Sequence, residues 1–423
     1  MTLKCILLLF ILLSMNFIIF KVKKYNNIYL ICTTCLLLLY FLIIIYIDKS
    51  NMNFGFEFNI FVRSHDGISV YDEHKYFAES KNLYDRWTNG YFMEWFNRTL
   101  PDVEYQIDQL PGYGNYNYFV VFLAALRLIG LSSASELILF KLIFTVFMFS
   151  IIFDLCNKFV NSNRAMFITM IFALYPAFIQ TNVLLLRDNI LLLLILILIK
   201  YLFFESKENL KSPKSIVIII LSSFFLFKLR LYTLLVIYFT AISLRLFKNT
   251  RKLISMYDIF IILSIILGYL IFLKLPIGHF QLVHLQKKMS YLYGTDYIAP
   301  IKLMLYSIKD ILTTSLYFDS LTSKYLYVKL TASAGFFYIA FIPLFIYKVI
   351  ILSFFDRNVK SITLVKSTLY FCFFNSLILM AKDGFVTARL NTMWFLLFLI
   401  IIFIPSDKDI LENKLFKKIK FLN

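Results

Sequence analysis

Apolar runs of 15–22 residues, close to the roughly 17–25 a helix needs to cross a hydrocarbon core of about 30 Å, recur along the chain. In order they are Leu3–Phe20, Ile28–Ile47, Leu137–Cys156, Ala165–Asn182, Asn189–Phe204, Ser215–Leu229, Leu231–Leu246, Leu253–Leu273, Thr331–Leu352, Thr363–Met380 and Leu390–Ile404. Lipid offers no hydrogen bonds, so each run must satisfy its own backbone as a helix. The alternation of outer-membrane strands is absent. Two polar stretches interrupt the series, Asp48–Asn115 and Lys274–Leu330. The second mixes basic and aromatic residues and is expected to hold interfacial helices around Ile301–Tyr317. Tyr116–Leu131 is apolar but spans only about 16 residues, and Arg127 lies near its end. Read as a span it would invert every later loop, so it is taken as interfacial or re-entrant.

The pattern predicts an all-α polytopic integral membrane protein of about 11 transmembrane helices, with a long outer loop containing short interfacial helices. Residues 1–423 form one transmembrane domain. Within it lie an outer loop plus interfacial helix (48–136), a second outer segment (274–330) and a basic tail (405–423).

Composition agrees. The chain is 60% hydrophobic and 16% charged, with a mean hydropathy of +0.77, against about 45–50% and about 25% in soluble domains. The net charge of +18 comes from Lys and Arg clustered in alternate short turns, the mark of cytoplasmic loops. Lys21, Lys23 and Lys24 are one such group; Lys158 and Arg164 are another, and Lys408 to Lys420 close the series. The expected topology is therefore multi-pass, with the N-terminus and the acidic loop outside and the C-terminus cytoplasmic. Nucleic acid is excluded as a partner, since no soluble basic face exists to bind it. The first run carries its basic flank after it, so a cleaved signal peptide is not expected. The five cysteines lie in or at the ends of apolar runs and read as buried small residues rather than a disulfide or redox set.

Asp48–Asn115 holds 11 of the chain's 25 acidic residues beside six Lys or Arg, an acidic island in a basic protein. Solubility alone is the plain explanation. Two features point further. Asp72, Tyr76 and Glu79 recur at helical spacing and share one face. Aromatics, among them Tyr71, Tyr84, Trp87 and Trp95, crowd the same loop, and aromatic planes beside carboxylates are what a sugar site uses. Charge also gathers in the expected outer turns, at Arg187-Asp188, Lys228, Arg230 and Arg389. An ionisable residue at membrane depth is a functional hypothesis by default. The plainer readings are a local Arg187–Asp188 ion pair at a helix start, and Arg230 and Arg389 reaching out to headgroups. His65 and His74 lie among carboxylates, a weak metal signal. No phosphate-binding Gly-rich loop, His-Glu-x-x-His pattern or Gly-x-Ser-x-Gly elbow is present.

Several features come in a suggestive order: Asp72-x-x-x-Tyr76-x-Ala78, then Pro111-Gly112-Tyr113 leading to Leu128-Ile129-Gly130. A helix end at Tyr175-Pro176 follows, then Leu184-Leu185-Leu186-Arg187-Asp188, Leu229-Arg230-Leu231-Tyr232 and Arg389. In this order the chain resembles the GT-C superfamily, membrane glycosyltransferases that use polyprenyl-linked sugars, and within it the divergent proteins of surface-polysaccharide synthesis such as O-antigen polymerases. The likeness covers about Asp66–Phe247. Relatives often carry Pro after the Arg that Arg230 matches, which is absent here.

The resemblance implies a GT-C-like fold and an inverting glycosyl transfer at the outer face. It also implies that the membrane is a bacterial inner one and the outside the periplasm. It implies Asp72 as general base on the acceptor hydroxyl, with Glu73 as the near rival. Arg187, Arg230, Arg389 and Lys228 would stabilise the phosphate leaving group; Tyr76, Asp188 and Tyr232 would support them. A divalent metal ion assists many relatives while others rely on Arg alone, and Asp72 and Asp188 are the residues such an ion would take. The implied partners are a polyprenyl diphosphate-linked glycan, the lipid bilayer and other polysaccharide-assembly proteins. The reading preferred is a repeat-unit polymerase of O-antigen or capsule. The alternatives are transfer of one sugar from a polyprenyl monophosphate and, third, a lipid-linked oligosaccharide flippase. A flippase usually shows internal repeats and charges near the midplane, neither of which is evident. A membrane O-acyltransferase, which wants a His at membrane depth, fits less well.

Overall fold

The computed structural model describes residues 3–53, 72–90, 118–246, 256–278, 280–313, 321, 326–354, 359–383 and 388–405. Sixteen helices and no strand occur among them. They are α1 (Leu3–Lys23), α2 (Asn27–Asn53), α3 (Asp72–Thr88), α4 (Tyr118–Leu128), α5 (Ala134–Asn157), α6 (Ser162–Leu174), α7 (Pro176–Val183) and α8 (Asp188–Phe204). After them come α9 (Lys207–Leu210), α10 (Pro213–Leu246), α11 (Met256–Lys274), α12 (Phe280–Tyr293), α13 (Ala299–Leu312), α14 (Leu326–Phe354), α15 (Val359–Asp383) and α16 (Ala388–Phe403). The tail 406–423 lies outside the described residues.

Among the described residues six helices are long and apolar enough to cross a membrane: α1, α2, α5, α10, α14 and α15. The pair α6 and α7, bent by 65°, makes a seventh if it counts as one span. The chain is a helical membrane protein. The difference from about 11 expected spans lies in particular helices. At 17 and 16 residues, α8 and α16 are short, α11 falls among the shorter apolar helices (Ile259–Lys274), and α10 counts as one helix.

Local chemistry sets the boundaries. Ser133 and Glu136 form a reciprocal cap on α5, which satisfies two orphan backbone donors. Asn26 starts α2 by accepting from the Tyr29 N–H at 2.9 Å. Pro176 supplies no N–H and forbids the helix that Leu174 was continuing, so the expected span Ala165–Asn182 breaks. Tyr175 adopts an extended conformation (ψ 121°), and the Tyr40 hydroxyl takes the freed Ala173 carbonyl at 2.6 Å.

The 34 residues of α10 are not one rod. Arg230 leaves the helical conformation (φ −161°, ψ 81°). The Ser223 and Tyr238 hydroxyls, fifteen residues apart, hydrogen-bond at 2.8 Å. A straight helix would separate those positions by about 22 Å, beyond the reach of the two side chains. Residues 213–229 and 231–246 therefore fold back on each other as two arms with Arg230 at the tip, the hairpin expected from the two apolar runs.

The centre of the fold is α5, α7, α8 and α16. Residues 393–401 of α16 are almost wholly enclosed, as a helix apolar all round must be. By contrast α1, α2, α10 and α11 expose large apolar side chains such as Phe10, Phe17, Leu42, Leu235 and Phe260. Such a surface is costly in water and natural against lipid. The expectation of buried cysteines holds for Cys5, Cys156 and Cys372, whereas Cys35 is on this outer surface; none of the five is in a disulfide.

The expected interfacial helix is α4. At 11 residues it measures about 16 Å, too short to cross. It packs on α3, where Tyr76 meets Phe119 edge-on at 5.2 Å. Buried Arg127 bonds Ser80 Oγ at 3.2 Å and the Phe77 carbonyl at 3.3 Å. In the second polar segment α13 lies on α15, buries Leu303, Met304 and Ser307, and turns Ile301, Leu305 and Ile308 outward.

Candidate functional site

The site is built where α7, α8 and the tip of α10 meet. Ending α10's first arm at Arg230 frees the carbonyls of its last turn. Arg187 Nη1 donates to one of them, the Leu229 oxygen, at 3.2 Å, placing a cation at a helix C-terminus, where the dipole favours it. Asp188 opens α8, where the dipole favours an anion. Arg230 Nη2 lies 3.4 Å from its carboxylate, with the two side chains only 8% and 10% exposed. The guanidinium also lies 5.5 Å from the centre of the Tyr232 ring. Arg230 is thus enclosed by protein and does not reach out to headgroups. Its Nε and Nη1 are buried without a hydrogen-bond partner, an unusual condition for a charged group.

Beneath this pair is a lysine that the sequence reading passed over. Lys141, seven residues into α5 and fully enclosed, donates to the carbonyls of Thr181 (2.9 Å), Leu186 (3.2 Å) and Leu184. Those oxygens belong to the end of α7 and the connection to α8, which neither helix can satisfy. Next to it Thr145 donates to Asn182 Oδ1 at 2.5 Å, and Asn189 donates to Thr145 and Asn182 at 2.8 and 2.5 Å. The Asp188 and Glu73 carboxylates both act electrostatically on the Lys141 ammonium. A lysine inside an apolar run was the available signal, since ionisable residues at that depth are functional by default.

Of the expected site residues, Arg187, Asp188, Arg230 and Tyr232 come together; Glu73 is buried on α3. Glu73 and Tyr76 both lie on the buried face of α3, with Phe77, Ser80, Leu83 and Trp87. Asp72 is the first residue of α3 and Arg389 the second of α16, but their side chains lie outside the described residues. So does the His74 side chain, and so does His65 entirely. Lys228 stands apart. It is exposed and lies 5.6 Å from the Tyr118 ring centre.

Among the described residues no group of three or more His, Cys, Asp or Glu gathers. Asp188 faces Arg230 with the Lys141 charge close by, a setting that does not fit a divalent ion. What the arrangement offers is a buried guanidinium with two free donors, matched to an oxyanion.

Comparison with family models, with curated proteins and with solved structures finds no match for the chain.

Proposed function

We propose that the protein is a multi-pass enzyme of a bacterial inner membrane that transfers glycosyl groups from polyprenyl diphosphate carriers at the periplasmic face, as a polysaccharide repeat-unit polymerase. The observation that carries the reading is Arg230, buried at the tip of a helical hairpin with Nε and Nη1 unbonded and Arg187 beside it. A carboxylate on the first turn of α3, Asp72 with Glu73 as rival, takes the proton from the acceptor hydroxyl. The acceptor oxygen forms the new bond at the anomeric carbon as the bond to the diphosphate breaks. The electron pair leaves on the diphosphate oxygen, whose charge Arg230 and Arg187 receive.

The N-terminus is periplasmic and the tail cytoplasmic in this reading, which rests on the positions of Lys and Arg along the sequence. The test profiles lipid-linked glycans in a strain lacking the gene. Single repeats on the lipid core fit a polymerase. A truncated repeat makes the protein a single-sugar transferase. Intact repeats retained on the inner leaflet make it a flippase and sink the proposal.

A further inference from the structure

We infer that Lys141 is a positioning residue, a tethered cation that fixes the connection from α7 to α8 and thereby aims Arg187 and Asp188. The ligand named below rests on the glycosyl-transfer reading; the geometry does not. An ammonium has three N–H donors and no acceptor. Lys141 spends them on three carbonyls, Thr181, Leu184 and Leu186, drawn from one short stretch of backbone. None remains for a substrate, so the group acts through the backbone it holds.

The stretch needs such a group. Pro176 has bent the chain by 65°, α7 ends after eight residues, and beyond its last helical bond, from the Leu184 N–H to the Gln180 oxygen at 3.2 Å, the chain runs non-helically to Arg187, whose carbonyl accepts the first bond of α8. In broken membrane helices, unwound carbonyls of this kind commonly coordinate a free cation. Here the cation comes on a side chain. The fixed connection leads directly into Arg187, whose guanidinium reaches the α10 tip, and into Asp188, which faces Arg230. Misplacement by about 1 Å at such a site costs on the order of 100-fold in rate.

The test measures amide hydrogen exchange over 184–190 and affinity for a short-chain polyprenyl diphosphate, both on the full chain in nanodiscs. Lys141→Met should speed exchange over 184–190 and weaken binding by about 10–100-fold. Lys141→Gln keeps two N–H donors, serves if the Met variant fails to accumulate, and should give intermediate exchange. Asp154→Asn removes a polar cluster about 20 Å away along α5 and should change neither readout. Wild-type exchange over 184–190 in the accumulating variant overturns the inference. So does an equal acceleration in Asp154→Asn, which would mean general loosening. If the unaltered protein does not bind the diphosphate, the glycosyl-transfer reading falls, and the exchange measurement still decides the role of Lys141.

Discussion

Two polar clusters meet α5 about 20 Å apart, one at Asp154 and the other at Lys141, and they are put together differently. Around Asp154 the charged groups are matched, though the neighbouring Tyr29 hydroxyl is buried without a partner. The carboxylate receives Lys23 at 3.1 Å, Lys200 at 2.8 Å and the Tyr25 hydroxyl at 2.5 Å. Burial, and then the Asp154 carboxylate, push the Tyr25 phenol well above its ordinary range, so it remains a donor. One turn on from Asp154, at the C-terminal end of α5, Lys158 bonds Glu205. These contacts tie α1, α5 and the end of α8 together. Around Arg230 the match is incomplete. The Asp188 contact is long, two guanidinium donors are unused, and Lys141 and Arg187 spend their bonds on carbonyls of broken helices. A saturated cluster has no donor left for a ligand, whereas an unsaturated buried cation keeps donors that the proposed function assigns to an anion.

Substitutions can break this contrast. The largest effect is expected from Arg230→Met, which removes the guanidinium from the buried pair with Asp188 at a cost of about 3–5 kcal/mol in stability. It should also lower glycosyl transfer by about 2–4 kcal/mol of transition-state stabilisation. Adding Asp188→Leu should restore most of the thermal stability and none of the activity. Recovery of activity in the double variant would show the pair to be structural, like its counterpart at Asp154.

Asp72→Asn should abolish transfer at normal expression, with Glu73→Gln the comparison that separates the rivals. Full-length polysaccharide from both variants removes the base from α3. The next effect belongs to the matched cluster. Asp154→Asn should cost about 1–3 kcal/mol in stability, read as a lower melting temperature, with the specific activity of the folded fraction unchanged. A fall in that activity would erase the distinction between the two clusters.

The smallest effect concerns Glu205. Burial pushes its carboxyl up, but Lys158 and Asn209 outweigh this and hold it below the usual value of 4.5. A depressed carboxyl contributes stability that is fully present above its unfolded value and is lost as pH falls through the folded one. The melting difference between the native chain and Glu205→Gln should therefore be constant from pH 7 to about 5 and shrink below about 4. For a partly exposed pair the whole difference is below about 1 kcal/mol. A difference that grows on acidification contradicts the assignment.

Much of the site was legible before folding. Arg187-Asp188, Arg230 and Tyr232 stood out because charge beside long apolar runs is rare, and Lys228 and Arg230 between two such runs implied a hairpin. Lys228 was nonetheless read with the others and lies apart, because neighbours on a helix point in different directions. The local pairing of Arg187 with Asp188 was the natural linear reading; the fold gives Arg187 the Leu229 carbonyl and brings Asp188 to Arg230, 42 residues on in each case. Lys141 was passed over because one lysine scarcely disturbs the apolarity of its run.

The sequence by itself determined that the chain is helical and belongs with lipid, because runs of that length and apolarity have no other way to satisfy their backbones. It also determined where helices must fail, at Pro176 by a missing N–H. Only the tertiary structure decided which broken ends face one another. The freed carbonyls at 181–186 and at Leu229 must find donors from elsewhere in the chain. Packing brought Lys141 to the first and Arg187 to the second, and left Arg230 buried with two donors to spare.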